Sequence, residues 1–146
     1  MHLSKQGLDL ICRYESFSPI IYLCPAGYPT VGYGHLVTEK NKEQFLDGID
    51  LDEALELLSK DVQAAERAVA RFISAPLTQS QFDALVSFTF NLGAGALQRS
   101  TLRRKINRGD VDGIPAEFLK WVWAGGHKQK GLARRRAAEA NLYLSQ

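Results

Sequence analysis

A short segment rich in glycine and proline interrupts an otherwise helical sequence, and it constrains the fold more than any other feature. Between residues 20 and 37 the chain carries three glycines and two prolines, and Pro19 comes directly before the segment. The residues between these turn formers are typical of strands, among them Tyr22, Val31 and Tyr33. Strand-forming residues that alternate with tight-turn residues predict a small sheet with short connections.

Helical patterns occupy most of the remaining sequence. Ser4 is an expected N-cap for a short helix that ends near Tyr14. Asp50 and Glu53 have the spacing of a capping box, and apolar residues follow at helical spacing as far as Val69. This pattern predicts one long helix with an acidic solvent face.

A second capping box, formed by Thr78 and Gln81, precedes residues that are apolar nearly all round. A helix with that composition is buried, and Gly93 and Gly95 are expected to end it. Shorter helices are predicted at Ser100–Asn107, Pro115–Trp123 and Leu132–Ser145.

These elements predict an α+β fold in one domain, residues 1–146. A small antiparallel sheet lobe, about residues 15–50, is joined by the long helix to a larger helical lobe. The helical lobe consists of about residues 70–146 together with the N-terminal helix.

Composition and motifs exclude several classes of protein. No apolar run reaches the ~20 residues of a membrane span, so no membrane anchor is expected. The first ten residues lack the apolar core and cleavage site of a secretory signal, so we expect no export route. Cys12 and Cys24 are expected to be reduced thiols, although a bridge between them stays open. No His or Cys cluster suggests a metal, and no cofactor is expected.

The net charge of +2 is unevenly distributed along the chain. Between Arg99 and Arg136 there are eleven Lys or Arg residues and three acidic residues. A basic half suits a polyanion, which leaves nucleic acid, acidic lipid and the anionic bacterial wall as partners. The sequence shows no helix-turn-helix, zinc or RNA-recognition signature, so specific nucleic-acid binding is not predicted.

Glu15 is the candidate for acid catalysis. It stands at the end of the first helix, immediately before the glycine-rich segment. A glycosidase needs a proton donor for the leaving oxygen, and a partly shielded carboxyl group at such a junction can remain protonated. On position alone, however, a Glu at a helix end is usually a solvated surface residue.

The spacing around Glu15 is more specific. Glu15, eight residues, Cys24, five residues and Thr30 match the signature of the phage-type lysozymes and endolysins of glycoside hydrolase family 24. The chain also resembles this family in TVGYGH (residues 30–35), LTQSQFDALVSFTFNLGAGAL (77–97), STLRRKINRGD (100–110) and WVWAGGHKQKGLARRRAAE (121–139). The resemblance covers nearly the whole chain and implies a lysozyme-like fold.

The resemblance implies that Glu15 is the proton donor and that the middle residue and Thr30 hold and activate the attacking water. Many members carry Asp at the middle position, where this chain has Cys24. A thiol is a weaker hydrogen-bond acceptor than a carboxylate and a free cysteine has a pKa near ~8.5. Cys24 could therefore act as a thiolate beside a positive group, play a secondary role, or be an inert structural residue.

The resemblance also implies supporting and substrate-binding residues. His35 is expected to brace the site, and Arg135 is our choice for the arginine of the run 134–136 that approaches Glu15. The residues expected to contact the glycan are Leu36, Phe90, Asn91 and Thr101. Structural alternatives are a core position for Phe90 and helix capping for Ser100.

The expected function is that of an endolysin. It would be a monomeric muramidase that hydrolyses the β-1,4 bond between N-acetylmuramic acid and N-acetylglucosamine with inversion. It would need no metal or cofactor, and would stay in the host cytoplasm until a holin opens the membrane and it reaches the periplasm and cell wall. The alternatives are a peptidoglycan-binding module without activity, which Cys24 would favour, and a nucleic-acid binder.

Overall fold

The computed structural model describes residues 1–145, which form helices and short strands in an α+β arrangement, as the sequence predicts. In chain order the elements are α1 (Lys5–Tyr14), β1 (Ser18–Leu23), β2 (Pro29–Gly32), β3 (His35–Leu36), α2 (Lys42–Phe45), α3 (Leu51–Asp61), α4 (Gln63–Phe72), α5 (Gln79–Leu92), α6 (Ala94–Arg99), α7 (Thr101–Arg108), α8 (Ile114–Phe118), β4 (Trp123–Ala124), β5 (His127–Lys128) and α9 (Lys130–Leu144).

The described residues form two compact units. One unit is Ile11–Gln63, and the other combines Met1–Leu10 with the chain from Ala64 onward. The first unit, called the sheet unit below, contains β1 to β3, α2 and α3. The second, called the helical unit, contains α5 to α9 and the β4–β5 hairpin.

The sheet unit is built on a three-stranded antiparallel sheet in the order β1-β2-β3. Thr30 lies between Tyr22 on β1 and Leu36 on β3. Positive φ angles at Gly27, Gly32 and Gly34 form the turns that the glycine-rich sequence predicts. One face of the sheet packs on α3 around a core of Val31, Val37, Phe45, Ile49 and Ala54.

The capping box of Asp50 and Glu53 is confirmed, with Glu53 N–H donating to Asp50 Oδ1 over 2.8 Å. The single long helix is wrong in one respect, because the structure divides it into α3 and α4 at Val62. Val62 has a ψ of −14°, and its N–H is shared between the carbonyls of Leu58 and Lys60. That sharing shifts the backbone away from regular α geometry, although the apolar pattern runs through unchanged.

The buried helix of the helical unit is confirmed. The capping box of Thr78 and Gln81 starts α5, every residue from Phe82 to Thr89 is buried, and Gly93 ends the helix with a φ of 96°. Gly7 allows α1 to approach α5 closely, because a Cβ there would lie 2.7 Å from Asp83 Cγ. Ser4 caps α1, and its N–H also donates to Asp83 Oδ1 over 3.0 Å.

The predicted helix Pro115–Trp123 is wrong in its second half. Helix α8 ends at Phe118, and Trp123 begins a hairpin in which β4 pairs with β5. Positive φ angles of 59° and 79° at Gly125 and Gly126 make the hairpin turn. Strands of two residues are too short for a periodic signal, so the glycine pair was the only clue in the sequence.

The remaining helix boundaries lie close to the predictions. Ser100 caps α7 by accepting from the N–H of Arg103 over 3.0 Å, and α9 begins two residues before its predicted start. The short helices α2 and α6 were not predicted. None of the helices formed by residues 1–145 combines the length and the apolar character needed to cross a bilayer.

Candidate active site

Glu15 follows the last residue of α1, and its N–H still donates to the carbonyl of Ile11 over 2.9 Å. The side chain is half-buried. Gly34, in the turn between β2 and β3, lies against it, since a Cβ at Gly34 would be 3.8 Å from Glu15 Oε2. Gly34 has a φ of 81°, a conformation that L side chains rarely adopt. The glycine-rich turn therefore lies beside the carboxylate.

Cys24 and Thr30 flank the tight turn between β1 and β2. Cys24 N–H donates to the carbonyl of Tyr28 over 2.9 Å, and Gly27 N–H donates to the carbonyl of Cys24 over 2.8 Å. Thr30 is buried, and its hydroxyl donates to the same Tyr28 carbonyl over 2.9 Å. Both residues are thus held by one turn of defined geometry.

The turn also sets the ionisation of the thiol. Backbone hydrogen bonding from Tyr28 is the main cause that lowers the pKa of Cys24 below its ordinary value, and partial burial opposes it. Smaller contributions come from the Ala26 and Gly27 backbone. Hydrogen bonds to a thiolate stabilise the charged form. Hydrogen bonds from the turn, and not a neighbouring charge, therefore account for the lowered pKa of Cys24.

His35 and Leu36 form β3. The ring of His35 is within hydrogen-bond distance of Asp61 at the end of α3, with 2.8 Å between Nδ1 and Oδ2. Its edge also packs on Phe45, with 5.5 Å between ring centroids. These contacts tie β3 to α3 and to α2. Leu36 is 52% exposed and pairs with Thr30, which leaves an apolar side chain available at this edge.

Three residues outside the predicted site also shape the sheet unit: Asp61, Tyr33 and Phe17. Asp61 lies 26 positions from His35, so no local pattern connects them. Tyr33 packs on Phe17, with 5.4 Å between centroids, and burial raises its pKa, with Cys12 contributing through its charge and a hydrogen bond. Both cysteines are present as thiols.

Asn91 and Phe90 lie at the end of α5, in the helical unit. Both are half-buried, so Phe90 is not one of the fully buried residues of that helix. Asn91 Oδ1 accepts from Arg136 Nη2 over 2.7 Å. A guanidinium group only donates, so this contact fixes which way the amide points. Asn91 Nδ2 remains as a donor for another partner.

Thr101 is the first residue of α7, and its hydroxyl oxygen accepts from Arg104 Nη2 over 2.8 Å. Arg104 is exposed. A hydroxyl that accepts from an arginine keeps its own proton for a further acceptor.

A run of three charged residues is usually exposed, but Arg135 and Arg136 of the run 134–136 are buried. Both contact Glu139, with 3.3 Å from Arg135 Nε to Oε2 and 2.7 Å from Arg136 Nε to Oε1. Ser87 Oγ donates to Glu139 Oε2 over 2.5 Å. The four residues, called the Glu139 network below, form a polar centre between α5 and α9.

The predicted site residues are therefore divided between the two units. Glu15, Cys24, Thr30, His35 and Leu36 belong to the sheet unit, whereas Phe90, Asn91, Thr101 and Arg135 belong to the helical unit. The contact between Arg135 and Glu15 stays a prediction. Over residues 1–145, no group of three or more His, Cys, Asp or Glu side chains is arranged to hold a metal ion.

Comparison with known proteins decides the family. The family model described as phage lysozyme matches residues 12–139, which is most of the chain and includes Glu15, Cys24 and Thr30. The chain belongs to the phage lysozyme family. It is a glycoside hydrolase of the lysozyme type, with the sequence of an endolysin.

Relatives and solved structures agree with this family. An endolysin of Acyrthosiphon pisum secondary endosymbiont phage 1 is 40% identical over 99% of both chains. The muramidase domain of SpmX from Asticaccaulis excentricus has a TM-score of 0.89 at 33% identity, with both chains fully covered. A mutant of P22 lysozyme has a TM-score of 0.86 at 31% identity, over 99% of both chains. The lysozyme-like fold is thereby confirmed.

Proposed function

We propose that Glu15, Cys24 and Thr30 hydrolyse the β-1,4 bond between N-acetylmuramic acid and N-acetylglucosamine in peptidoglycan. One observation carries the proposal. Cys24 and Thr30 flank the first turn of the sheet whose next turn, at Gly34, lies against the Glu15 carboxylate. The sheet unit thus supplies both a proton donor and a pair of groups for a water molecule.

In the proposed reaction, Glu15 protonates the glycosidic oxygen as the bond to the anomeric carbon breaks. The Thr30 proton is directed at the Tyr28 carbonyl, so the lone pairs of its hydroxyl oxygen can accept from the attacking water. The Cys24 thiolate accepts the proton that this water loses. Attack on the face opposite the leaving group would invert the anomeric centre.

Substrate binding is proposed for residues of both units. Asn91 would donate through Nδ2 to an acetamido carbonyl, since Arg136 occupies its oxygen. Phe90 would stack on a sugar ring, Leu36 would contact its apolar face, and Thr101 would donate its hydroxyl proton to a sugar oxygen. Arg135 would approach Glu15, and His35 would keep β3 in place through Asp61.

A non-catalytic peptidoglycan-binding module is the alternative function, and Cys24 in place of the commoner Asp is its support. A turbidity assay on chloroform-treated Gram-negative cells separates the two. The purified chain should clear the suspension and release reducing ends. Binding to the wall without any clearing would support the module and contradict the proposal.

Cys24→Asp should extend activity to lower pH. If the thiolate is the working form, activity rises with pH through the pKa of Cys24, which its hydrogen bonds lower. A carboxyl group ionises several pH units lower, near ~4, so the acidic limb of kcat/KM should move down with the substitution. The measurement is a pH profile of reducing-end release.

Two variants control this experiment. Cys24→Ser replaces the thiol with a hydroxyl that does not ionise in this pH range, so this variant should lose most of the activity at every pH. Cys12→Ser changes the other cysteine and should keep the profile of the parent chain. An unchanged acidic limb in Cys24→Asp, with full activity in Cys24→Ser, would show that Cys24 is inert.

The proposal extends to how the enzyme reaches the wall. As in the expectation from the sequence, the chain would act as a monomer released from the host cytoplasm by a holin. Induced expression alone should then leave cells intact, and co-expression of a holin should cause rapid loss of turbidity. Lysis without a holin would contradict holin-dependent release, but it would not contradict the proposed roles of Glu15, Cys24 and Thr30.

A further inference from the structure

The β4–β5 hairpin presents a tryptophan to solvent on a fixed support. Trp123 is 64% exposed, whereas the preceding Val122 is buried. Gln129 closes the hairpin twice, with its N–H on the Val122 carbonyl at 2.8 Å and its side-chain amide on the Ala124 carbonyl at 3.2 Å. Trp121 anchors the segment on Phe88, with 5.6 Å between ring centroids. The exposed indole therefore has a defined place.

A lysine shares the face of the hairpin that carries this indole. Trp123 and Lys128 are direct cross-strand partners, and side chains of such partners project to the same side. Both are exposed. Among the residues that the structure describes, no carboxylate pairs with Lys128, whereas nearby Lys120 is paired with Glu117 at 2.8 Å.

The surroundings of the hairpin are basic. From residue 118 to residue 138 the sequence contains no Asp or Glu and six Lys or Arg residues. An indole face offers a flat apolar surface, and an unpaired ammonium group beside it attracts carboxylates. This combination fits a polymer that has both sugar rings and carboxylates.

We infer that Trp123 and Lys128, neither of which is proposed for catalysis, form a further binding site for peptidoglycan. An N-acetyl sugar would stack on the indole, and a free carboxylate of a stem peptide would pair with Lys128 Nζ. The inference rests on the proposed function, because it takes the bacterial wall as the substrate. The site would hold the enzyme on an insoluble polymer between successive cleavages.

Binding to purified peptidoglycan sacculi tests the site without cleavage when it is measured in a Glu15→Gln background. Trp123→Ala should raise the Kd for sedimented sacculi roughly fivefold to tenfold, the range expected for the loss of one aromatic contact. Trp123→Phe should retain most of the affinity. Leu144→Ala, which removes another exposed apolar side chain of the helical unit, should leave the Kd unchanged.

Lys128 is tested by the salt dependence of the same binding. Lys128→Gln should weaken binding at low salt and flatten its dependence on ionic strength, and Lys128→Arg should restore both. In the active chain, Trp123→Ala should raise KM on sacculi with little change in kcat. Cleavage of a short soluble glycan should stay at the parent rate.

Two results would overturn the inference. One is equal affinity of Trp123→Ala and Leu144→Ala for sacculi. The other is binding through Trp123 to vesicles containing phosphatidylglycerol but not to sacculi, which would make the hairpin a membrane contact. Failure of the proposed function gives a different pattern, because an inactive parent chain would still show the Trp123-dependent binding.

Discussion

Glu15→Gln should reduce the rate of peptidoglycan hydrolysis by about 10²–10⁴-fold, the usual contribution of a positioned general acid. Glutamine has the size of glutamate, so the side chain at position 15 should still pack against the turn at Gly34. A Cβ placed on Gly34 would lie 3.8 Å from Glu15 Oε2. What disappears is the proton that the leaving oxygen must receive. The measurement is the initial rate of reducing-end release from purified sacculi.

A second carboxylate of the same unit gives the matched control. Glu56 on α3 has a side chain that is 73% exposed and a loose pair with Lys60, with 3.9 Å between charged atoms. Glu56→Gln removes the same charge and should keep parent activity. Near-normal lysis by Glu15→Gln, in a chain that is folded and binds sacculi, would mean that another group donates the proton.

Glu139→Ala should lower the free energy of unfolding by about 3–5 kcal/mol, because it removes the buried carboxylate that the guanidinium groups of Arg135 and Arg136 share. Glu139 and Arg136 are fully buried and Arg135 is nearly so. For a chain of this size the melting temperature should fall by roughly 10 °C. Thermal unfolding followed by circular dichroism measures the effect.

The cost comes from breaking the Glu139 network and not from the intrinsic strength of the ion pair. Burial raises the pKa of Glu139 and lowers the pKa of Arg136, so desolvation opposes the charged form of each group. When folding raises the pKa of an acid, ionisation of that acid lowers the stability of the folded state as the pH rises from the unfolded-state pKa to the folded-state pKa. Removing both charges should therefore be easier to tolerate than removing one.

The double variant Arg136→Met with Glu139→Leu tests that distinction. It should recover at least about half of the stability lost in Glu139→Ala, since apolar replacements of buried pairs are often neutral. If the losses in the free energy of unfolding caused by the substitutions at positions 136 and 139 simply added, this account of the network would be contradicted. A Glu139→Ala chain as stable as its parent would also contradict it.

Glu117 provides a contrast inside the same unit. Lys120 and Lys105 lower its pKa through hydrogen bonds of 2.8 and 2.9 Å, and both lysines reach solvent more than the Glu139 partners do. A lowered pKa contributes stability above the unfolded value, and that contribution is lost as pH falls through the folded value. Ionised Glu117 therefore stabilises the protein at neutral pH, and this stabilisation is lost when acid protonates the carboxylate.

Local signals in the sequence predicted the parts of the fold that depend on neighbouring residues. The capping boxes at Asp50 and Thr78, the glycine-rich turns and the buried α5 were all readable because each uses residues within one or two turns of chain. The sequence predicts a helix where the structure has the hairpin at Trp123, because two-residue strands carry no periodicity. The division of the chain into a sheet lobe and a helical lobe as one domain stays a prediction.

The site was predictable only in its local part. The spacing of Glu15, Cys24 and Thr30 follows from one segment, and the resemblance gave it meaning. The partner of His35 and the buried position of Arg136 depend on long-range packing, with Asp61 and Ser87 lying 26 and 52 positions from the residues they contact. No pattern within one element connects such residues.

The most direct test of the central claim is the chemistry of the new chain ends. Purified sacculi are digested with the protein, reduced with borohydride and analysed by mass spectrometry, with Glu15→Gln as the blank. A muramidase that adds water exposes the muramic acid reducing end, so the account predicts muramitol-containing muropeptides. Glucosaminitol ends, anhydromuramic ends or no new ends at all would contradict it.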